Sequence, residues 1–187
     1  MSFVPYRQLG TVRRGGIVAV VDHASNEVPP GIELGVAPEV MAKHVAWDIG
    51  ADRERRLAAY HRPYHAALGE WLDAAEPKLI LAIHSFTPSL ETAPQDRPWE
   101  VGLLYNEDGR AGHQAIRLLR EQGFAVGDNE PYSGRDLNAT MNRHAEAHGR
   151  PYCAIEIRND LIADEGGQAR WAALIADIAN RVAQALE

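Results

Sequence analysis

Two histidines in this sequence close apolar, strand-like runs: His23 follows GIVAVVD and His84 ends KLILAIH. An imidazole carried at the edge of a buried strand is a good ligand for a borderline cation such as zinc. The plainer alternative is a ring that caps its strand through a backbone hydrogen bond. The separation of the two histidines matches no local zinc motif such as HExxH, so any shared coordination has to come from the fold. A catalytic zinc ion usually keeps three protein ligands and one open position. The polar turn after His23 offers Asn26, a neutral oxygen, and Glu27, a charged one; either completes the set.

A third cluster lies within the run YCAIEIRND. Glu156 alternates with Ile155 and Ile157 and so points to the opposite face of its strand. A carboxylate buried there needs a metal, a cation or a hydrogen-bond donor. It can take a proton from water and return it to a leaving amine, or it can pair with Arg158 on the same face. Arg158 in turn suits a two-pronged contact with a substrate carboxylate. His144, in TMNRHAEAHG, is placed to reach a carbonyl oxygen or the metal if its helix ends over the cleft, whereas His148 reads as a helix-end residue before Gly149. The loop Asp128–Asp136 has the small and polar residues of a lid, with Tyr132 and Ser133 as its substrate contacts.

The elements that must position these groups alternate along the chain. Strands are expected at Gly16–Asp22, Lys78–His84, Val101–Tyr105, Phe124–Gly127 and Pro151–Ile157. Helical spacing marks Pro38–Ile49, Arg53–Ala75 with a kink or break at Pro63, Ala111–Glu121 ended by Gly123, Ala139–His148 and Gln168–Ala185. This alternation predicts an α/β sandwich of three layers, with helices covering a mixed, largely parallel sheet. In such sheets loops converge at the carboxyl ends of the strands, which gathers His23, His84 and Glu156 toward one cleft.

At 187 residues, 45% hydrophobic and 24% charged, the chain has the size of one domain. A net charge of -7 disfavours a polyanionic partner, and no phosphate-cradling or dinucleotide glycine motif is present. Nucleic acid and membrane are therefore not expected partners, and the absence of a signal-like start or a long apolar span points to the cytoplasm. Oligomeric state is not legible. Cys153, the single cysteine, reads as a small hydrophobe in a buried strand.

Across most of its length the chain resembles the N-formylglutamate amidohydrolase family. The matching segments are DHASNEVP at 22–29, HVAWDIG at 44–50, HRPYH at 61–65, HSFTP at 84–88, RPWEVGLLYN at 97–106, DNEPYSG at 128–134 and IEIRNDLI at 155–162. The resemblance implies one domain over residues 1–187, similar in fold to zinc carboxypeptidases and aspartoacylase, that hydrolyses an N-formyl or N-acyl amino acid such as N-formylglutamate. It also implies zinc, or another divalent transition metal, on His23 and His84. Asn26 stands where related enzymes use a glutamate, Glu156 looks like the general base, and Arg158 looks like part of a substrate clamp. The chain departs from the family near residues 50–52, where members carry a longer, arginine-bearing stretch. Two rival readings follow: a hydrolase for another acylated amino acid or short peptide, or a noncatalytic protein that binds a small molecule in a degraded cleft.

Overall fold

A computed structural model describes residues 4–23, 57–89 and 97–187. The expected helix at Pro38–Ile49 lies outside them. The chain divides into two compact units, one formed by Met1–Val12 and His23–Trp71, the other by Arg13–Asp22 and Leu72–Glu187.

In the first unit a π-helical turn, Leu57–His61, leads into helix α1, Arg62–Ala75, whose last residues belong to the second unit. Pro63 does not split α1 but falls in its first turn, directly after the π-helical turn. The irregularity expected at this proline is the π turn just before it. His61 and His65 meet edge to face with ring centroids 4.2 Å apart, and Tyr64 packs on His65 at 5.2 Å.

The second unit is built on a sheet whose strands are β1 (Ile17–Val20), β2 (Leu79–Phe86), β3 (Val101–Leu104), β4 (Val126–Asp128) and β5 (Tyr152–Arg158). Their order is β1-β2-β5-β3-β4. β1 with β2, β2 with β5 and β3 with β4 are parallel, and β3 runs antiparallel to β5. The sheet is thus mixed and largely parallel, as the alternation of elements predicts. Three further helices follow: α2 (Arg110–Glu121), α3 (Ala139–His144) and α4 (Glu165–Ala185).

Alternation along the strands separates two faces. Leu79, Leu81, Val101, Leu103, Val126, Cys153, Ile155 and Ile157 share one core cluster with Ala115 and Leu119 of α2 and Trp171, Ile175 and Ile178 of α4. Each such large side chain contributes on the order of 1.5–3 kcal/mol by leaving water. The other face carries buried Ile80, Ala82, Phe86 and Leu104 together with His84, Tyr152 and Glu156. α4 starts earlier than periodicity alone suggests because the Asp164 side chain accepts a hydrogen bond from Gly167 N at 2.6 Å and caps it. No helix among the described residues is long and apolar enough to cross a membrane.

Candidate functional site

His84 and Glu156 are register partners on the parallel strands β2 and β5, and Gly102 of β3 is the partner of Glu156 on its other side. Register partners share a face, so His84, Glu156 and Gly102 form a row opposite the core cluster. Both functional candidates sit within their strands. The sequence reading ends β2 at His84, yet pairing continues through Ser85 with Ile157 and Phe86 with Arg158. Backbone hydrogen bonds do not require apolar side chains, so the change in polarity after Ile83 marks the site and not the end of the strand.

Glu156 is 8% exposed, and its Oε2 is buried with no hydrogen-bond partner among the described residues. Burial raises its pKa to about 7, against the opposing pull of the Arg97 guanidinium. The carboxyl group therefore changes protonation near neutrality, as a general base must. The expected alternative, a Glu156–Arg158 pair, is not formed. Arg158 instead bonds Asp160, with Nε to Oδ1 at 2.8 Å, which binds it to the turn just after its own strand.

Arg97 is the residue that the sequence reading missed. Its side chain is buried at 9% exposure, and Nη1 donates to Thr87 O at 3.1 Å and to Tyr132 Oη at 3.2 Å. The guanidinium also lies over the Tyr132 ring, 5.1 Å from its centroid, an arrangement favoured by the ring quadrupole. The segment RPWEVGLLYN gave no local sign of this burial, because an arginine beside a proline reads as ordinary loop surface.

Tyr132 is held there by the Asp128–Asp136 loop. Asn129 has φ 53°, a left-handed conformation that asparagine tolerates better than most residues. Its Oδ1 accepts from both Tyr105 N and Gly134 N at 3.0 Å. The Glu130 carbonyl then crosses the sheet so closely that a Cβ on Gly102 or on Gly127 would lie 2.2 Å from that oxygen. Ser133 Oγ accepts from Arg135 N at 3.2 Å and so serves the loop's own turn.

Helix α3 is fixed to the polar-face side of β5 through Tyr152, which has the same strand parity as Glu156. Tyr152 Oη accepts from Asn138 Nδ2 at 2.8 Å and from Asn106 N at 3.2 Å, and donates to Glu146 Oε1 at 2.7 Å. Burial works to raise the Glu146 pKa. Hydrogen bonds from Tyr152, Asp108 N, Asn106 and Glu107 N outweigh it and keep the carboxylate ionised. His144, at the end of α3, is 5% exposed. Burial lowers its pKa, reinforced by Arg143, His148 and Arg150 and opposed by Asp22, so its ring is neutral at pH 7. His148 ends a 3-10 turn before the left-handed Gly149, as expected.

His23 is exposed and belongs to the first unit, while Asn26 and Glu27 lie outside the described residues. Among the described residues no group of three or more His, Cys, Asp or Glu is gathered to hold a metal ion. What they do supply is a half-buried imidazole beside a buried carboxylate whose Oε2 lacks a partner. The imidazole is a ligand type that suits a borderline divalent cation, and the carboxylate beside it is of the type that takes a proton from water.

The comparisons with known proteins agree with this architecture. A crystal structure of a gene product from Agrobacterium tumefaciens superposes with a TM-score of 0.83 at 24% identity, covering 93% of this chain and 92% of that one. The N-formylglutamate amidohydrolase from Ralstonia eutropha JMP134 superposes with a TM-score of 0.50 at 26% identity, covering 72% of this chain but 53% of that enzyme. No curated protein sequence matches. The segment that contains His84, Arg97, Tyr132, His144, Glu156 and Arg158 falls within residues 50–163, which match the N-formylglutamate amidohydrolase family, and the chain belongs to that family.

Proposed function

We propose that the protein is a metal-dependent amidohydrolase that cleaves an N-formyl or N-acyl amino acid, N-formylglutamate being the first substrate to test. The observation that carries this reading is the buried Glu156 carboxyl group, with an unpartnered oxygen and a pKa of about 7, in register with His84. His84 is the ligand proposed within the second unit; His23 and Asn26 enter the ligand set from the sequence pattern alone. A zinc ion so held supplies Lewis acidity toward the scissile carbonyl and toward water.

The chain's own groups supply the proton chemistry. Glu156 accepts a proton from the attacking water and returns it to the departing nitrogen, a cycle favoured by a pKa near the working pH. His144 is neutral and donates a hydrogen bond to the carbonyl oxygen as negative charge develops there. Covering by the Asp128–Asp136 loop lowers the local polarity, which strengthens both contacts.

The test combines metal analysis with turnover. Purified protein is expected to hold a transition metal and to release formate from N-formylglutamate, or the corresponding acid from another N-acyl amino acid. E156Q should retain the metal and lose turnover by at least 100-fold, in keeping with the size of general acid–base effects. Protein that takes up no zinc, manganese or cobalt, and stays inert in their presence, overturns the reading.

A further inference from the structure

Arg97 presents a buried cation in need of an anion. A guanidinium has N–H donors along two edges, and the bonds from Nη1 to Thr87 O and Tyr132 Oη engage neutral acceptors only. No carboxylate forms a salt bridge with Arg97 among the described residues. Glu156 is near enough to feel its charge yet forms no ion pair with it. Withdrawing an arginine from water without a counter-charge is expensive, and a fold that keeps one in place does so most economically for an anionic ligand. The neutral contacts fix the plane of the group, and the Tyr132 ring covers one side of it. Thr87 directly follows β2, the strand that carries His84, so the cation stands at the same end of the sheet as the proposed reaction centre.

We propose that Arg97, steadied by Thr87 and Tyr132, is the subsite for a free carboxylate of the substrate, and that it selects N-acyl amino acids over their carboxamides. This rests on the hydrolase reading for its ligand class. Arg158, the arginine favoured from sequence, already pairs with Asp160, whereas Arg97 has no carboxylate partner among the described residues. A charge-assisted, two-pronged contact of this kind corresponds to about 10–100-fold in affinity.

The experiment compares N-formylglutamate with N-formylisoglutamine and N-formylglutamine, each of which replaces one carboxylate by an amide. Binding to the metal-free protein is measured by calorimetry, and turnover is measured on the metal-loaded protein. Wild type is expected to bind one of the amides about 10–100-fold more weakly than the diacid. R97Q should abolish that discrimination, R97K should restore part of it, and R158Q should retain it. Discrimination that persists in folded R97Q or R97K at the wild-type ratio overturns the subsite, as does equal binding of all three compounds to wild type. Turnover with persistent discrimination in R97Q rejects the subsite and leaves the hydrolase reading standing. Loss of discrimination without any turnover does the reverse. If wild type fails to bind N-formylglutamate at millimolar concentration, the proposed subsite is wrong.

Discussion

His84 and Glu156 face each other across two parallel strands, in register and on the same side of the sheet. Neighbouring strands lie about 4.8 Å apart, so imidazole and carboxyl group start from adjacent backbones. The rigidity of this pair comes from the central position of β5, which is hydrogen-bonded to β2 on one edge and β3 on the other. A site built on paired strands moves less than one carried on loops.

The raised pKa of Glu156 makes stability depend on pH. Its pKa rises on folding from 4.5 to about 7 because burial disfavours the charged form. The folded state therefore carries no penalty from this group well below pH 4.5. The penalty grows between about 4.5 and 7 and is complete above. In metal-free protein, E156Q should be more stable than wild type at pH 8, by at most on the order of 3 kcal/mol, with the difference shrinking toward pH 4. Urea titrations in the presence of a chelator measure this, and an unchanged pH slope in E156Q contradicts the burial argument.

The loop that presents Tyr132 depends on two glycines that have no Cβ to obstruct it. In G102A or G127A the new methyl carbon would lie 2.2 Å from the Glu130 carbonyl oxygen, and backbone has to shift to relieve the clash. The expected loss is about 1–3 kcal/mol, seen as a lower urea midpoint. Because the displaced loop carries Tyr132, the R97 subsite should weaken in the same variants. A G102A protein with wild-type stability and an unmoved loop in its crystal structure would show that the close approach is not real.

Much of this was legible in sequence because interior strands and amphipathic helices carry strong periodic signals. KLILAIH and YCAIEIR announced β2 and β5, and the alternation of Ile155, Glu156 and Ile157 placed the carboxylate on the face away from the core. Register was not legible. Nothing in either strand alone says that His84 lies opposite Glu156 and not opposite Ala154, since that depends on how distant segments pair. Arg97 was missed for the same reason: its burial comes from Thr87 and Tyr132, which are remote in sequence and have no periodic relation to it. The pairing of Arg158 was not legible either, because a shared face with Glu156 says nothing about a competing acid at Asp160.

Tyr152 is expected to be the hydroxyl whose loss costs most. It is fully buried, and its oxygen joins Asn138 at the start of α3, the Asn106 backbone and Glu146. Y152F preserves the ring and strands those partners, for a cost of about 1–3 kcal/mol. Glu146 loses one of the bonds that hold its pKa down, so part of the loss should disappear as the pH falls and the carboxyl group is protonated in both folded and unfolded chains. A thermal midpoint equal to that of wild type at neutral pH contradicts the network.

Cys153 gives an independent test of the core. It lies on β5 at 1% exposure, packed into the apolar cluster between the sheet and helices α2 and α4. Burial pushes its thiol up to about 12, and thiolate is the reacting form. Native protein should therefore leave a disulfide reagent such as dithionitrobenzoate unreacted at pH 8, while protein in concentrated urea should react with one equivalent. Slow labelling under native conditions should follow the opening equilibrium of the sheet when reclosing outruns labelling, and so should accelerate in G102A and Y152F by about tenfold for each 1.4 kcal/mol of lost stability. Rapid native labelling that is indifferent to those substitutions contradicts the placement of β5 at the centre of the sheet.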